Sequence, residues 1–210
     1  MYGVLVIGTF ANQKFIGKEG YNASGSRSIE LWTPDSPNQS CILPDYPRRL
    51  ERTATLNFVS GRLIACGSES CDVYQNNVWV HLQDTLQYRG GHHSSLSLSD
   101  AVLLIGGIAA DGMFGTELIP ADGSSPSPGP FESRLLHGHG HCSIQMSEDT
   151  FIMTGGRNSE RVVTKYTMNG ENENEFLPVL HQGRLNHACG SYQQGDNQVS
   201  FLFYPVFNGF

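Results

Sequence analysis

The sequence predicts an all-β fold built from successive four-stranded sheets. Three observations predict it: short apolar runs that end in glycine and recur along the chain, a glycine content of 24 in 210 residues, and turn residues between every pair of runs. The chain is 39% hydrophobic and 16% charged, too apolar for a disordered chain and too uncharged for a coiled coil. It is long enough to bury one sizeable core. A net charge of −7 argues against nucleic acid or an anionic membrane surface as partner. No apolar run approaches the ~18 residues of a membrane span.

The repeat is carried by four runs: Val4-Leu5-Val6-Ile7-Gly8, Leu63-Ile64-Ala65-Cys66-Gly67, Val102-Leu103-Leu104-Ile105-Gly106-Gly107 and Phe151-Ile152-Met153-Thr154-Gly155-Gly156. Their closing glycines are 59, 39 and 49 residues apart, and such periods mark repeat architectures. A second marker keeps step: His92 stands 14 residues before Gly106, and His141 stands 14 before Gly155. Arg89-Gly90-Gly91-His92 recurs as Arg184-Leu185-Asn186-His187. Leu-Pro closes a repeat at Leu43-Pro44 and Leu177-Pro178, and aromatics (Trp32, Tyr74, Trp79, Tyr166) trail the glycines.

Each period holds about four short strands. The first follows the Arg/His marker. The second is the continuous apolar run, which fits a strand buried on both faces. Gly-Gly then opens backbone angles closed to other residues and admits a close neighbour. The third strand carries the aromatic, and the fourth ends at Leu-Pro. Four strands per ~50 residues is one blade of a propeller.

Through its apolar-apolar-x-Gly-Gly runs, trailing aromatics and Arg-x-x-His markers, the chain resembles the Kelch-repeat β-propellers over residues 1–198. Its Ser40-Cys41, Ala65-Cys66-Gly67 and His141-Cys142 segments look most like secreted or cell-surface Kelch-like proteins of invertebrates. The resemblance implies blades arrayed about an axis, usually for binding other macromolecules; a minority of the wider superfamily are copper oxidases resembling galactose oxidase. The blades are expected at about 1–49, 50–89, 90–134 and 135–184, with a fifth begun at 185 and a divergent or truncated segment over 199–210. The first run reads as a second strand, residues 10–28 as an insertion, and the whole as an incomplete propeller and a fragment of a longer protein.

The candidate sites are few. His137, His139 and His141 alternate with glycine, so on a strand their imidazoles would face one side and could converge on a metal; the competing reading makes His141 a repeat marker beside an exposed loop. The copper-oxidase ligand set finds no match, and no metal or cofactor is assigned. There is no Gly-x-Ser-x-Gly elbow, and Cys142 faces away from its neighbour His141 on a strand. Glu171, Glu173 and Glu175 read as a solvated turn. Arg89 and Arg184 at blade starts are the candidates for facing a ligand, acidic in kind; the competing reading is a bond between blades.

The five cysteines contain no CxxC pair, which argues against a zinc ribbon. Cys142 and Cys189 follow equivalent histidines in adjacent repeats and could bridge. Cys41 could bridge to Cys66 or Cys71, and this ranks above a local Cys66–Cys71 clasp. Asn22 and Asn38 are glycosylation acceptors in loop sequence. With the cysteines they point to an extracellular or cell-surface setting, although no signal peptide opens the chain.

The expected function is a non-enzymatic scaffold that presents loops (9–28, 107–116, 121–130, 157–162) to a protein partner. A carbohydrate-binding propeller, suggested by Trp32 and Trp79, is the first alternative. A metal-dependent oxidase is the second.

Overall fold

Among the described residues, antiparallel hairpins follow one another in chain order. The computed structural model describes residues 2–10, 13–21, 30–32, 40–47, 55–86, 93–107, 115–131, 137, 139–168, 175–185, 187–194 and 197–203. Its side chains are described over 43–47, 55–86, 93–107, 115–131, 137, 139–168, 175–185, 187 and 189.

The first sheet runs in the order β1 (Tyr2–Phe10), β2 (Gln13–Tyr21), β3 (Glu30–Trp32) and β4 (Ser40–Ile42). The second has β5 (Thr55–Val59), β6 (Arg62–Cys66), β7 (Ser70–Gln75) and β8 (Val78–Asp84). The third has β9 (His93–Ser97), β10 (Ala101–Gly106), β11 (Thr116–Pro120) and β12 (Ser127–Pro128). The fourth has β13 (His141–Gln145), β14 (Thr150–Gly155), β15 (Val163–Thr167) and β16 (Glu175–Phe176). β17 (Ala188–Gln194) and β18 (Asn197–Phe203) pair as a fifth, two-stranded sheet. First strands sit side by side: β5 lies beside β9, β9 beside β13, β13 beside β17, and β1 touches both β5 and β17. This is an all-β, incomplete propeller, and no helix occurs among the described residues.

The core lies in the seams between blades, and β10 shows why. Val102 and Leu104 pack backward onto Val59, Ile64 and Val73 of the second blade. Leu103 and Ile105, one step out of phase, pack forward onto Phe151 and Met153 of the fourth. Successive strand residues face opposite sides, and here both sides are covered. A continuous apolar run is therefore the required sequence. Each such side chain, fully buried, contributes about 1.5–3 kcal/mol. Phe131, Phe151 and Tyr166 close the forward seam: Phe151 and Tyr166 stack at 5.2 Å, and Phe131 meets each edge-on.

The sequence markers fall as follows. Leu43-Pro44 directly follows β4, and Leu177-Pro178 directly follows β16. Tyr74 and Tyr166 stand on third strands, Trp79 on a fourth. Gly106, Gly107, Gly155 and Gly156 all take positive φ. Gly155 has the strictest need, because a Cβ there would lie 2.5 Å from the Arg184 carbonyl oxygen.

Four expectations are corrected. The run ending at Gly8 is the first strand of its sheet rather than a second strand; Gly8 pairs with Phe15 inside a hairpin, so it is not the counterpart of Gly67, Gly106 and Gly155. Residues 13–21, expected within an insertion, form β2. The partner of Gly106 is His93, as His141 is the partner of Gly155. The turn over 98–100 is one residue shorter than that over 146–149, so equal spacing pointed one residue too early. His92 itself lies outside the described residues. The fifth sheet also runs past residue 198, since 199–203 belong to β18.

Candidate functional site

Histidines mark the start of three consecutive blades. His93 and His141 open β9 and β13, and His187 immediately precedes β17. All three are buried. The latter two reach back to the preceding blade: His141 Nε2 lies 2.8 Å from Ser94 Oγ, and His187 Nε2 lies 2.8 Å from Thr154 Oγ1. Burial, and after it the Arg184 and His137 charges, lower the His187 pKa to about 4. Its Nδ1 has no hydrogen-bond partner among the described residues.

The expected convergence of His137, His139 and His141 does not form. β13 begins only at His141, and Gly140 has φ +70°, so the three do not share a strand face. His137 is fully buried and spends both nitrogens on the fourth blade, Nδ1 at 2.7 Å from the Gly155 carbonyl and Nε2 at 2.9 Å from Thr164 Oγ1. Burial lowers its pKa as well. Among the described residues no group of three His, Cys, Asp or Glu side chains is placed to hold a metal ion.

The first strands are joined by a series of polar and covalent links. Ser95 Oγ donates to Asn57 Oδ1 at 2.9 Å across the second seam. Ser143 Oγ donates to Ser94 Oγ at 2.8 Å across the third. Cys142 and Cys189 form a disulfide across the fourth. The other disulfide is Cys66–Cys71, which corrects the ranking of Cys41 as the partner of either residue. Cys66 and Cys71 face each other in the β6–β7 ladder, held by a turn in which Gly67 N–H donates to the Ser70 carbonyl at 2.9 Å. A local clasp needs no chain from another blade.

A second set of polar residues was not singled out from the sequence. Asp72, Glu117 and Thr164 stand on third strands, opposite Ala65, Leu104 and Met153. Each of those partners lies two residues before the repeat glycine. All three polar residues are buried. Each binds the chain arriving from the blade before: Tyr46 donates its hydroxyl to Asp72, the Leu86 N–H donates to Glu117 Oε1 at 2.6 Å, and His137 meets Thr164. The available signal was a polar residue at one fixed register position, opposite the residue two before the repeat glycine, in each third strand.

Arg184 lies on the opposite end of the fourth blade from the β13–β14 turn. Its carbonyl accepts the Gly156 N–H at 3.0 Å, and its own N–H donates to the Glu160 carbonyl at 2.7 Å. Its backbone thus ties two loops, while its guanidinium is half-buried and in no ion pair among the described residues. Glu175 pairs with Lys165 at 2.9 Å. Trp79 is half-buried, donates its indole N–H to the Pro44 carbonyl at 3.0 Å and packs on Tyr46 and Tyr74. It therefore belongs to the packing under the first connection. Arg89, Asn22, Asn38, Glu171 and Glu173 lie outside the described residues, as do the side chains of Trp32 and Cys41.

No family model matches the chain, and no curated protein matches it. Among solved structures, that of YjhT aligns with a TM-score of 0.71 at 13% identity, covering 90% of this chain and 69% of that one. A fungal alcohol oxidase of the AA5 family, solved in complex with copper, aligns with a TM-score of 0.53 at 13% identity, covering 89% of this chain and 55% of that one. The chain thus spans little more than half the length of the oxidase. Both neighbours are propeller-type folds, and at this identity the likeness shows the fold alone.

Proposed function

We propose that the chain is a non-enzymatic recognition scaffold whose loops at one rim contact a macromolecular partner, as Kelch-type propellers do. The supporting observation is the contrast between seams and loops. The seams repeat one grammar, and His137, His141, His187, Asp72 and Glu117 are engaged in it. The loops joining second to third strands follow no grammar: they span 67–69, 107–115 and 156–162 in successive blades. Length variation at fixed scaffold positions is how loops acquire recognition.

A protein partner is preferred to a glycan because Trp79, one of the aromatics that suggested a glycan, is committed to packing on Tyr46 and Tyr74. The two disulfides favour an oxidising, extracellular setting. The test replaces residues 107–115, and separately 156–162, with Gly-Ser of equal length. Binding of a display-selected peptide or protein ligand is lost in at least one variant while the melting transition stays cooperative. Binding unaffected by either replacement, or oxidation of alcohols by the copper-loaded protein, overturns the reading.

A further inference from the structure

We propose that the loops 156–162 and 177–185 of the fourth blade form a docking surface for an acidic, partly apolar segment of a partner protein. The proposal rests on the scaffold reading above and names the partner's chemistry.

Charge is the first argument. The two loops carry Arg157, Arg161 and Arg184 against Glu160 alone, in a chain of net charge −7. Arg157 and Arg161 are exposed and Arg184 half-buried. Glu160 does not neutralise them: its carboxylate accepts the Asn158 N–H at 3.2 Å, and no ion pair among the described residues involves any of the three arginines. A concentrated positive patch on an acidic protein selects and orients acidic partners. A guanidinium fork matches a carboxylate with two parallel hydrogen bonds.

Order is the second. The loops are stitched together before any partner arrives. Gly156 and Arg184 share a backbone bond at 3.0 Å, Arg184 and Glu160 one at 2.7 Å, and Leu180 N–H donates to the Arg161 carbonyl at 2.9 Å. Arg161 Nε returns a bond to the Leu180 carbonyl at 2.9 Å. A surface already held in shape spends less binding energy on ordering.

Apolar exposure is the third, and it decides between partner classes. Val179 is 60% exposed and Leu185 40% exposed in the same loops. Arginine beside exposed apolar side chains is the composition of a protein interface. A sulfated glycan would use the charge and leave these side chains in water.

The test uses the full chain against a display library of random short peptides, with heparin as a second probe. The selected peptides carry Asp or Glu next to Leu, Phe or Ile, and their affinity falls with added salt. R157E and R184E each weaken binding by about tenfold, and Val179→Ser weakens it several-fold. R157E, at an exposed position, keeps the wild-type melting transition; R157K and R184K retain more binding than the reversals. Selection of neutral or basic peptides, binding indifferent to both reversals, or binding of heparin alone overturns this proposal and leaves the scaffold reading standing. Absence of binding to any macromolecule removes both.

Discussion

Glu117 and Thr164 occupy the same register position on the third strands of adjacent blades, and each holds the chain segment that enters its blade. Glu117 Oε1 accepts the Leu86 N–H at 2.6 Å, and Thr164 Oγ1 donates to His137 Nε2 at 2.9 Å, since the His137 Nδ1–H goes to the Gly155 carbonyl. Both side chains are almost wholly buried. A propeller has no helix to brace one blade against the next, so the connections must be fastened by side chains. Glu117→Ala leaves a donor without its acceptor, which costs about 1–3 kcal/mol. Glu117→Gln keeps an acceptor oxygen and costs less. Urea unfolding midpoints in the order wild type, Gln, Ala check this; equal midpoints for Gln and Ala would sink it.

Acid should loosen the seam between the fourth and fifth blades. His187 has its pKa lowered from 6.5 to about 4 by burial and by Arg184 and His137. Between pH 6.5 and 4 the unfolded chain binds a proton that the folded chain does not. Stability is therefore intact above pH 6.5, falls as pH drops through this window, and levels off below it. His137 acts in the same direction. Asp122 and Asp149, whose pKa values are lowered from 3.8 by Ser124 and by Ser147 and Thr150 hydrogen bonds, make themselves felt only at lower pH. Denaturant titrations across pH 4 to 7 should show the slope, and His187→Asn should flatten part of it.

Removing the two disulfides should have unequal effects. Cys142 and Cys189 are 47 residues apart and Cys66 and Cys71 are 5 apart. Loop-closure entropy assigns about 4 kcal/mol to the longer link and about 2 kcal/mol to the shorter. The Cys142/Cys189 double serine variant places hydroxyls where Ser94 and Ser143 bond one seam earlier, so it should fold. Access differs too: Cys66 and Cys71 are fully buried, while Cys142 and Cys189 are half-buried. A small dithiol should open the inter-blade link first, as mass spectrometry of alkylated peptides would reveal.

Gly155→Ala should be among the most damaging single substitutions. A methyl group there meets the Arg184 carbonyl oxygen at 2.5 Å and the His187 ring at 2.6 Å, at φ +63°. Backbone cannot yield as a flexible side chain can, so a loss of about 3 kcal/mol or more is expected. Gly61→Ala, also at positive φ but with nothing within 4 Å, isolates the conformational cost of about 1–2 kcal/mol. Comparable losses for the two would refute the steric account.

Much of the fold was readable from sequence because β10 and its counterparts are covered on both faces, and an uninterrupted apolar run has few other homes. The run ending at Gly8 was misplaced because such a run cannot say which position it holds in its sheet. Equal spacing points to His92 where the ladder uses His93, because spacing counts residues and a turn one residue shorter moves the register. The links from Leu86 to Glu117 and from Tyr46 to Asp72 were illegible for a different reason. Their partners stand 31 and 26 residues apart, and only the folded chain brings them together. Arg184 was found as a marker, yet its place beside Arg157 and Arg161 depends on how two loops are stitched.

The Cys142–Cys189 bond has a mechanical consequence. Tension applied at β18 passes from Cys189 directly into Cys142, bypassing the hairpin that would otherwise peel away first. The fourth and fifth blades then resist stretching as one unit, and the earlier boundary between Ser94 and Ser143, held by apolar packing and hydrogen bonds with no covalent link, becomes the place where extension begins.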